Sequence, residues 1–463
     1  MKLAVSFVIL MSLSASAEPL TLRDLIDRAR VADPRVKDAQ AQLRYLRAKY
    51  DEARWAWFPR IDSYVAVAGP TPEARNDGLG GPPTTHATLM YDLDFGKPGV
   101  GFQARAEAFL PLYTFGKLSA LEAAGAKGVE AGEALSHGAA DEAELQVSQA
   151  YFGYCLALAS REAIADTIKR LDDARATLQR LRGQSSEQVT QLDVYRLDYY
   201  LQQAEAQQAA AEAGAGYALA AIRLLVGVPA NQALEVAGTR LEEPAGGLLP
   251  VDAYVEQARL HRPELKAVAA FVGVREQEVA IRERMFLPDF GLFGYFHWAW
   301  TTSTTRQLSP FAYDPFNDLT AGVALVMRYQ WDFPQKGIYL EQARAELERA
   351  QHQGDLAQAG IRLEIEKVWN DTNAALVRSA RQTASEKTAR RWATSAYAAF
   401  DLGTGETREL VEAFTALAMS SAQRGQAYHD VHVGLRALSR AVGEPVALRP
   451  PPQVLAPPSE KPR

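Results

Sequence analysis

The sequence has a single cysteine, Cys155, among 463 residues. One thiol excludes a disulfide within the chain and is too few for a structural zinc or iron–sulfur site. The chain also lacks a basic surplus, since 50 Lys and Arg stand against 56 Asp and Glu. Nucleic-acid-binding proteins usually carry such a surplus, so the charge balance disfavours a nucleic-acid partner.

Long apolar runs are missing beyond the N-terminus. Lys2 precedes an apolar run at 3–13, and Ala15-Ser16-Ala17 has the small-x-small pattern of a cleavage site. This order predicts a signal peptide over 1–17 and export of the remaining chain. A buried N-terminal helix or strand is the alternative. No later segment approaches the roughly 20 apolar residues of a membrane-spanning helix.

An internal repeat covers most of the sequence. Pro34 and Pro59 bracket a helical stretch, and Pro263 and Pro288 bracket a second one 229 residues later, the separation of Pro34 and Pro263. Proline favours the first turn of a helix and ends a helix when it follows the last turn. Tyr151 aligns with Trp369 in the same order along the chain. A tandem duplication over 18–250 and 251–446 is therefore predicted.

Each repeat contains two segments in which polar and apolar residues alternate. They lie near 60–69 and 99–113 in the first repeat, and near 289–301 and 319–333 in the second. Each has about the length of a tilted strand that crosses a bilayer, with apolar side chains outward and polar ones inward. The residues predicted to line the inside are Gln103, Arg105, Glu107 and Arg328. A sheet packed on one face in a soluble protein would give the same alternation.

Very long helices follow the strands. The ranges 117–182 and 335–402 are free of proline, and each would reach ~100 Å as a helix. Each is followed by a shorter helix that runs back along it, which we call the return helix; the return helices are predicted over 190–226 and 407–442. A further helix is predicted over 263–287.

The tail, 447–463, is rich in proline and is expected to be extended or disordered.

The first return helix carries a stripe of mostly small residues at alternating spacings of three and four, which is typical of a coiled-coil seam. The stripe consists of Leu192, Tyr195, Tyr199, Gln202, Ala206, Ala209, Ala213, Gly216 and Ala220. Such helices could form the wall of a hollow tube or a plain antiparallel coiled-coil hairpin.

The predicted fold class is mainly α with β. Four strands cannot close a useful barrel alone, but three chains would supply twelve. The prediction is a long α-helical coiled-coil barrel with four membrane β-strands per chain, completing a 12-stranded β-barrel as a trimer.

The order of these elements and the segment 400–413, FDLGTGETRELVEA, carry a family resemblance. Over nearly all of 20–446, the chain resembles the TolC-type outer-membrane efflux proteins, or outer membrane factors. The segment is similar to the family's aromatic-x-x-Gly-Thr-Arg and Asp-Val-Leu-Asp-Ala motif at the periplasmic entrance. Gly405 departs from it, because the family has an arginine there.

The resemblance implies a homotrimeric channel in the cell outer membrane that extends into the periplasm. It implies partners: a periplasmic adaptor protein, an inner-membrane RND or ABC transporter, and outer-membrane lipid. The channel would serve efflux or type I secretion. The residues implied at the periplasmic gate are Glu409, Glu412, Phe400, Gly403 and Asp193. The plain interpretation of Glu409 and Glu412 is a solvated helix N-terminus.

No catalytic constellation or cofactor motif is found. His429 and His432 are spaced for one helix face, but a third strong metal ligand is missing from their neighbourhood. The sequence therefore predicts neither an enzyme, nor a metal site, nor a cofactor. Two rival classes remain: a soluble periplasmic coiled-coil scaffold or chaperone, and a periplasmic enzyme.

Overall fold

The structure is a computed structural model that describes residues 19–71, 74–75, 90–91, 99–183, 190–303 and 316–450. The predicted signal peptide and residues 451–463 of the tail lie outside this range. Within the described residues, none of the helices combines the length and apolar composition needed to span a membrane. The helices are α1 Leu22–Ala32, α2 Pro34–Arg54, α3 Lys117–Gly183, α4 Gln191–Leu225, α5 Val251–His261, α6 Pro263–Arg284, α7 Phe333–Asp401 and α8 Thr407–Val442.

Proline and glycine mark several helix ends. Pro34 and Pro263 are the first residues of α2 and α6, where the missing N–H of proline leaves no hydrogen bond unmade. After α8, Gly443 adopts the left-handed conformation, with φ of 83°. Glycine adopts this conformation without the steric cost that a Cβ would bring.

The long strands form one antiparallel sheet in the order β1–β4–β5–β6. The strands are β1 Arg60–Thr71, β2 Ala74–Arg75, β3 Met90–Tyr91, β4 Gly99–Tyr113, β5 Asp289–Thr301 and β6 Asp318–Arg328. The short strands β2 and β3 pair only with each other. Among the described residues, β1 and β6 each have one neighbour and therefore one free edge.

The last strand is shorter than the sequence predicts. We expected it over 319–333, but β6 ends at Arg328, and α7 begins at Phe333 rather than at residue 335. Arg328 pairs with Asp289, the first residue of β5, which directly follows Pro288. In the part of the chain that the structure describes, β5 offers β6 no partner beyond Arg328, so 329–332 lie outside the sheet although their side chains still alternate in the sequence.

The chain divides into two compact units. The first consists of Met1–Leu43, Gly132–Ala267 and Gly354–Arg463, and the second of Arg44–Ala131 and Val268–Gln353. The second unit contains the whole four-stranded sheet.

The core of the first unit consists of three apolar clusters. One joins α3, α4, α7 and α8 near the turn between α7 and α8, and includes Phe400 and Leu410. A second packs α1 against α3 and α4, and the third packs α5 against α7 and α8. These two clusters occupy matching places in the two halves of the sequence: the Tyr151 hydroxyl donates to the carbonyl of Gly238 (2.6 Å), and the Trp369 indole donates to the carbonyl of Leu249 (2.8 Å).

Helix α4 does not use its predicted seam within the chain. Its buried residues are Leu197, Leu201, Ala215 and Ile222. All nine residues of the predicted seam, from Leu192 to Ala220, are exposed. The helix thus carries two faces with coiled-coil spacing, and its own chain covers only one of them.

Candidate functional site

The register of the sheet sorts its side chains into two faces. Arg105 on β4 lies opposite His297 on β5, which lies opposite Thr320 on β6. Because side chains alternate along a strand, residues two positions apart share a face. The four predicted lining residues, Gln103, Arg105, Glu107 and Arg328, therefore share one face with His297 and Thr320. We call this the polar face.

Three strands are linked by hydrogen bonds on the polar face. The Gln103 amide nitrogen lies 3.0 Å from His297 Nε2, and His297 Nδ1 lies 2.9 Å from a carboxylate oxygen of Asp318. The Thr320 hydroxyl donates to the same oxygen at 2.7 Å. The alternation along β5 places His297 on the polar side of its strand, whereas the sequence analysis did not identify Asp318. The alternation of β6 alone could have found it, since Asp318 and Thr320 are two residues apart.

Aromatic rings also lie on the polar face. The Arg328 guanidinium carbon is 3.9 Å from the centroid of the Phe109 ring, a cation–π contact. A Cβ at Gly322 would lie 2.8 Å from the Tyr295 ring. Glycine at this position therefore makes room for the ring, which covers the backbone of the neighbouring strand.

The opposite face is apolar and exposed. Its large exposed side chains come mainly from three of the four long strands, β1, β5 and β6: Ile61, Val65, Val67, Phe296, Trp298, Trp300, Leu319, Val323, Leu325 and Met327. Val65 and Val323 are 77% and 75% exposed within the single chain. Covering a side chain of this size with apolar material gains roughly 1.5–3 kcal/mol, so a bare face of this extent needs an apolar environment. We call it the apolar face.

Exposed aromatic side chains flank the strands where they meet the helices. Trp55, Trp57 and Phe58 follow the end of α2, and their ring centroids lie 6.0–6.1 Å apart. Trp331, just after β6, lies 5.0 Å from the Tyr329 ring and is largely exposed. Rings of this kind are typical of the boundary between lipid and water.

The turn between α7 and α8 closes tightly on the last turn of α7. The amides of Thr404 and Gly405 both donate to the carbonyl of Ala399, at 3.0 and 2.9 Å. Gly403 has φ of 74°, and its amide donates to the carbonyl of Phe400 at 3.0 Å. The Phe400 ring is buried in the cluster that joins the four long helices.

The same turn explains the glycine at 405. A Cβ there would lie 2.9 Å from the Phe400 nitrogen and 3.0 Å from the Ala399 carbonyl carbon. Both atoms belong to the backbone and cannot move without opening the turn. An arginine at this position, as in the family motif, would not fit the turn that this chain forms.

Glu409 and Glu412 lie on the exposed side of the first turns of α8, whereas Leu410 and Val411 are buried. The two acids differ in their partners. Arg408 Nε donates to Glu412 at 2.9 Å, and this hydrogen bond raises the pKa of Arg408. In the described part of the chain, Glu409 has no ion-pair partner.

Asp193 lies at the start of α4, where it caps the helix. Its carboxylate accepts hydrogen bonds from the amide and the hydroxyl of Thr190, at 3.0 and 2.6 Å. Arg196 lies 3.6 Å from its other oxygen. The structure therefore gives Asp193 a capping role that the sequence analysis missed. Its role at the gate stays a prediction.

Other reactive side chains are engaged in packing. Cys155 is buried, and burial raises the pKa of its thiol to about 11. The His432 ring stacks on Phe152 with centroids 5.0 Å apart, and its Nε2 lies 3.0 Å from the carbonyl of Glu242. The described residues contain no group of three or more His, Cys, Asp or Glu side chains that could hold a metal ion.

Solved structures with the same fold are bacterial outer-membrane proteins. The Campylobacter jejuni CmeC outer membrane channel is 14% identical, with a TM-score of 0.70, over 91% of this chain and 85% of that one. The Vibrio cholerae outer membrane protein VceC is 18% identical, with a TM-score of 0.69, over 91% of this chain and 96% of that one. The Neisseria gonorrhoeae MtrE outer membrane channel, in its open state, is 16% identical, with a TM-score of 0.65, over 91% of this chain and 89% of that one.

No protein-family model matches the sequence, and no curated protein matches it. At the identities of the solved structures, the likeness establishes the fold. It confirms the predicted combination of long helices with a four-stranded sheet in each chain.

Proposed function

We propose that three copies of this chain form a channel through the outer membrane and part of the periplasm. One observation carries the proposal: a four-stranded sheet with an exposed apolar face, a polar face, and a free edge on each side. A free edge in contact with lipid leaves unpaired N–H and C=O groups, which is costly because no water reaches them. Such a sheet becomes stable in a membrane when its edges pair and its apolar face meets lipid.

Pairing between copies satisfies both edges. Along β1, β4, β5 and β6 each strand runs antiparallel to its neighbour, so β1 and β6 have opposite directions. The edge of β6 in one copy can therefore pair in antiparallel fashion with β1 of the next. Three copies give twelve strands, an even number, as bacterial outer-membrane barrels have.

In this assembly the polar face lines the lumen. Gln103, Arg105, Glu107 and Arg328 then face the passing solute, and the apolar face contacts outer-membrane lipid. The aromatic clusters around Trp57 and Trp331 mark the depth at which the sheet meets lipid headgroups.

The turns between the long helices form the gate. Three copies bring Glu409 and Glu412 together as a ring of carboxylates at the periplasmic entrance, and such rings favour cations. Phe400 and Gly403 hold the turn between α7 and α8 that presents these acids. Asp193 contributes a further charge at the start of α4. The proposal rests on the exposure of both glutamates and on the likeness of segment 400–413 to the family motif.

The channel works with a periplasmic adaptor and an inner-membrane RND or ABC transporter, for efflux or type I secretion. The long helices support this arrangement, since they offer an adaptor an extended surface outside the membrane. Co-expression with a periplasmic adaptor and an inner-membrane transporter from the same organism should, for the cognate pair, give a complex that elutes together in detergent. Separate elution after chemical cross-linking would remove the partners from the proposal.

Conductance tests the channel itself. The protein, purified in detergent, should form trimers by native mass spectrometry and open steady, water-filled pores in planar lipid bilayers. Recovery as a monomer in the soluble fraction after osmotic shock, without conductance, would favour the alternative of a periplasmic scaffold or chaperone.

A further inference from the structure

The polar face of the sheet changes character along its strands. Strand β5 begins shortly after α6, and from that end its polar-face residues are Gly291, Phe293, Tyr295, His297 and Ala299. The half nearer the helices therefore carries aromatic rings, and the other half carries the hydrogen bonds around His297. A solute that leaves the helices and enters the lumen meets the rings first.

Two rings of β5 lie side by side on the polar face. The centroids of the Phe293 and Tyr295 rings are 6.3 Å apart, and their planes differ by 25°. The residues opposite them on β6 are small, Ala324 and Gly322. A Cβ at Gly322 would lie 2.8 Å from the Tyr295 ring, so the ring reaches across to β6. The ring of Tyr295 therefore lies along the wall, with one face turned away from the sheet.

The outward face of Tyr295 is accessible, unlike that of a second ring on this wall. Tyr295 is 40% exposed. The Phe109 ring also covers a glycine, since a Cβ at Gly291 would lie 2.7 Å from it, but the Arg328 guanidinium carbon sits 3.9 Å from the centroid of Phe109. Among the described residues, no Lys or Arg side chain stacks on Tyr295. One ring thus already holds a cation of its own chain, and the other is vacant.

An acid faces the vacant ring from the neighbouring strand. Glu107 on β4 lies directly opposite Tyr295, and Asp62 on β1 lies directly opposite Glu107. Asp62 lies 3.9 Å from Arg60, whereas Glu107 has no ion-pair partner in the part of the chain that the structure describes. Neighbouring strands are about 5 Å apart, so a cation on the ring is within reach of the Glu107 side chain. Like charges directly opposite each other repel, and such a cation relieves this repulsion.

We propose that Tyr295, Phe293 and Glu107 form a site in the lumen for organic cations that carry an aromatic ring. The ring of the solute stacks on Tyr295, beside Phe293. Its positive charge is attracted by the ring face and by the Glu107 carboxylate. This inference rests on the proposed channel and names a class of solute that the channel wall retains. Three copies of the chain give three such sites.

The same groups disfavour other solutes. An aromatic anion is repelled by Glu107 and Asp62, and a cation without a ring has nothing to stack on Tyr295. The affinity stays modest, because one ring contact and one exposed carboxylate each contribute little. A passing solute is therefore held briefly and released, as conduction requires.

Ethidium, a planar aromatic cation, is a suitable probe. Its binding is measured by fluorescence polarisation on the detergent-purified protein with Glu409→Ala and Glu412→Ala, so that the gate carboxylates do not contribute. Ethidium should bind at three sites per trimer. In competition with ethidium, naphthalene-2-sulfonate, an aromatic anion, and tetramethylammonium, a cation without a ring, should each bind at least tenfold more weakly.

Substitution of the ring tests the stacking contact. Tyr295→Ala should weaken ethidium binding at least tenfold, because the stacking surface is lost, and Tyr295→Phe should stay within about twofold of the unmodified protein, because the ring remains. The matched control is Phe296→Ala: Phe296 is the next residue of β5, is also 40% exposed, and lies on the apolar face. Equal losses in Tyr295→Ala and Phe296→Ala, or no loss in either, would overturn the site.

Substitution of the acid tests the charge without removing a packed side chain. Glu107→Gln should weaken ethidium binding about three- to tenfold and strengthen the binding of naphthalene-2-sulfonate. Its control is Glu52→Gln, which removes an exposed acid from α2 that pairs with Lys49, and which should change neither. The same ethidium affinity in Glu107→Gln and the unmodified protein would contradict the role of the charge. A protein that opens pores but binds no ethidium would overturn the site alone, whereas a protein without pores would contradict the channel.

Discussion

At the scale of single residues, Arg262 shows how a charged side chain can be part of a core. Its side chain is 4% exposed and donates to Glu364 at 2.6 Å, Glu264 at 3.2 Å and the carbonyl of Ala441 at 3.0 Å. A buried guanidinium is tolerated only when such partners replace water. The residue therefore joins the junction of α5 and α6 to the middle of α7 and to the C-terminal end of α8.

Arg262→Met should lower the free energy of unfolding by about 3 kcal/mol, because three hydrogen bonds are lost and the carboxylates lose a partner. Denaturant unfolding in detergent measures the change. Arg259→Met is the control: Arg259 is exposed and, among the described residues, its ion pair is with Glu256, so its loss should cost less than about 1 kcal/mol. Similar costs for both substitutions would mean that the buried network does not stabilise the fold.

Asp33 gives a pH dependence at the same scale. Its buried carboxylate accepts hydrogen bonds from Arg35, and these hold its pKa below the ordinary value of 3.8. A group with a lowered pKa in the folded state stabilises the fold above its ordinary pKa, and this contribution is lost as the pH falls through the folded pKa.

The unmodified protein should therefore lose thermal stability on acidification from pH 6 to pH 3, and Asp33→Asn should lose less over the same range. The melting temperature in detergent, followed against pH, measures both. Parallel curves for the two proteins would show that Asp33 contributes nothing to the acid sensitivity.

At the scale of elements, the alternation along the strands predicted both faces of the sheet. The paired register places Gln103, Arg105 and Glu107 together because a sheet has only two sides. Alternation could not predict where β6 ends. That boundary depends on Pro288 and the start of β5, which are distant in sequence from β6.

The lipid contact of the apolar face is tested by a charge. Val323→Arg should lower the stability of the protein folded into lipid vesicles by about 2–4 kcal/mol, as charged residues do near the middle of a bilayer. Thr320→Arg, on the polar face of the same strand, should cost less than 1 kcal/mol. If both substitutions cost the same, the apolar face would not be in contact with lipid.

At the scale of the whole molecule, the proposed gate requires three copies of the chain. Replacing both Glu409 and Glu412 with alanine should weaken the block of single-channel current by divalent cations at least tenfold, because the carboxylate ring is removed. Glu409→Ala alone should account for most of the loss, since Glu412 already pairs with Arg408. Current recordings in planar bilayers measure both variants.

Two exposed acids outside the tip serve as the control for this prediction. Glu256→Ala with Glu348→Ala removes the same number of charges from α5 and α7. The block should remain as in the unmodified protein. An unchanged block in the Glu409 and Glu412 variants would remove these residues from the gate.

The sequence by itself determined the class of elements, because periodicity and the placement of proline are local properties of the chain. It predicted long helices, alternating strands and a duplicated order, and the segment around Phe400 indicated the turn between α7 and α8. Only the tertiary structure decided which helix faces are buried within the chain and how the turns close. It showed that Gly405 closes a turn too tight for a side chain, that Asp193 caps a helix, and that the seam of α4 has no partner in its own chain. These properties depend on which residues distant in sequence come to lie side by side, and no local pattern contains that information.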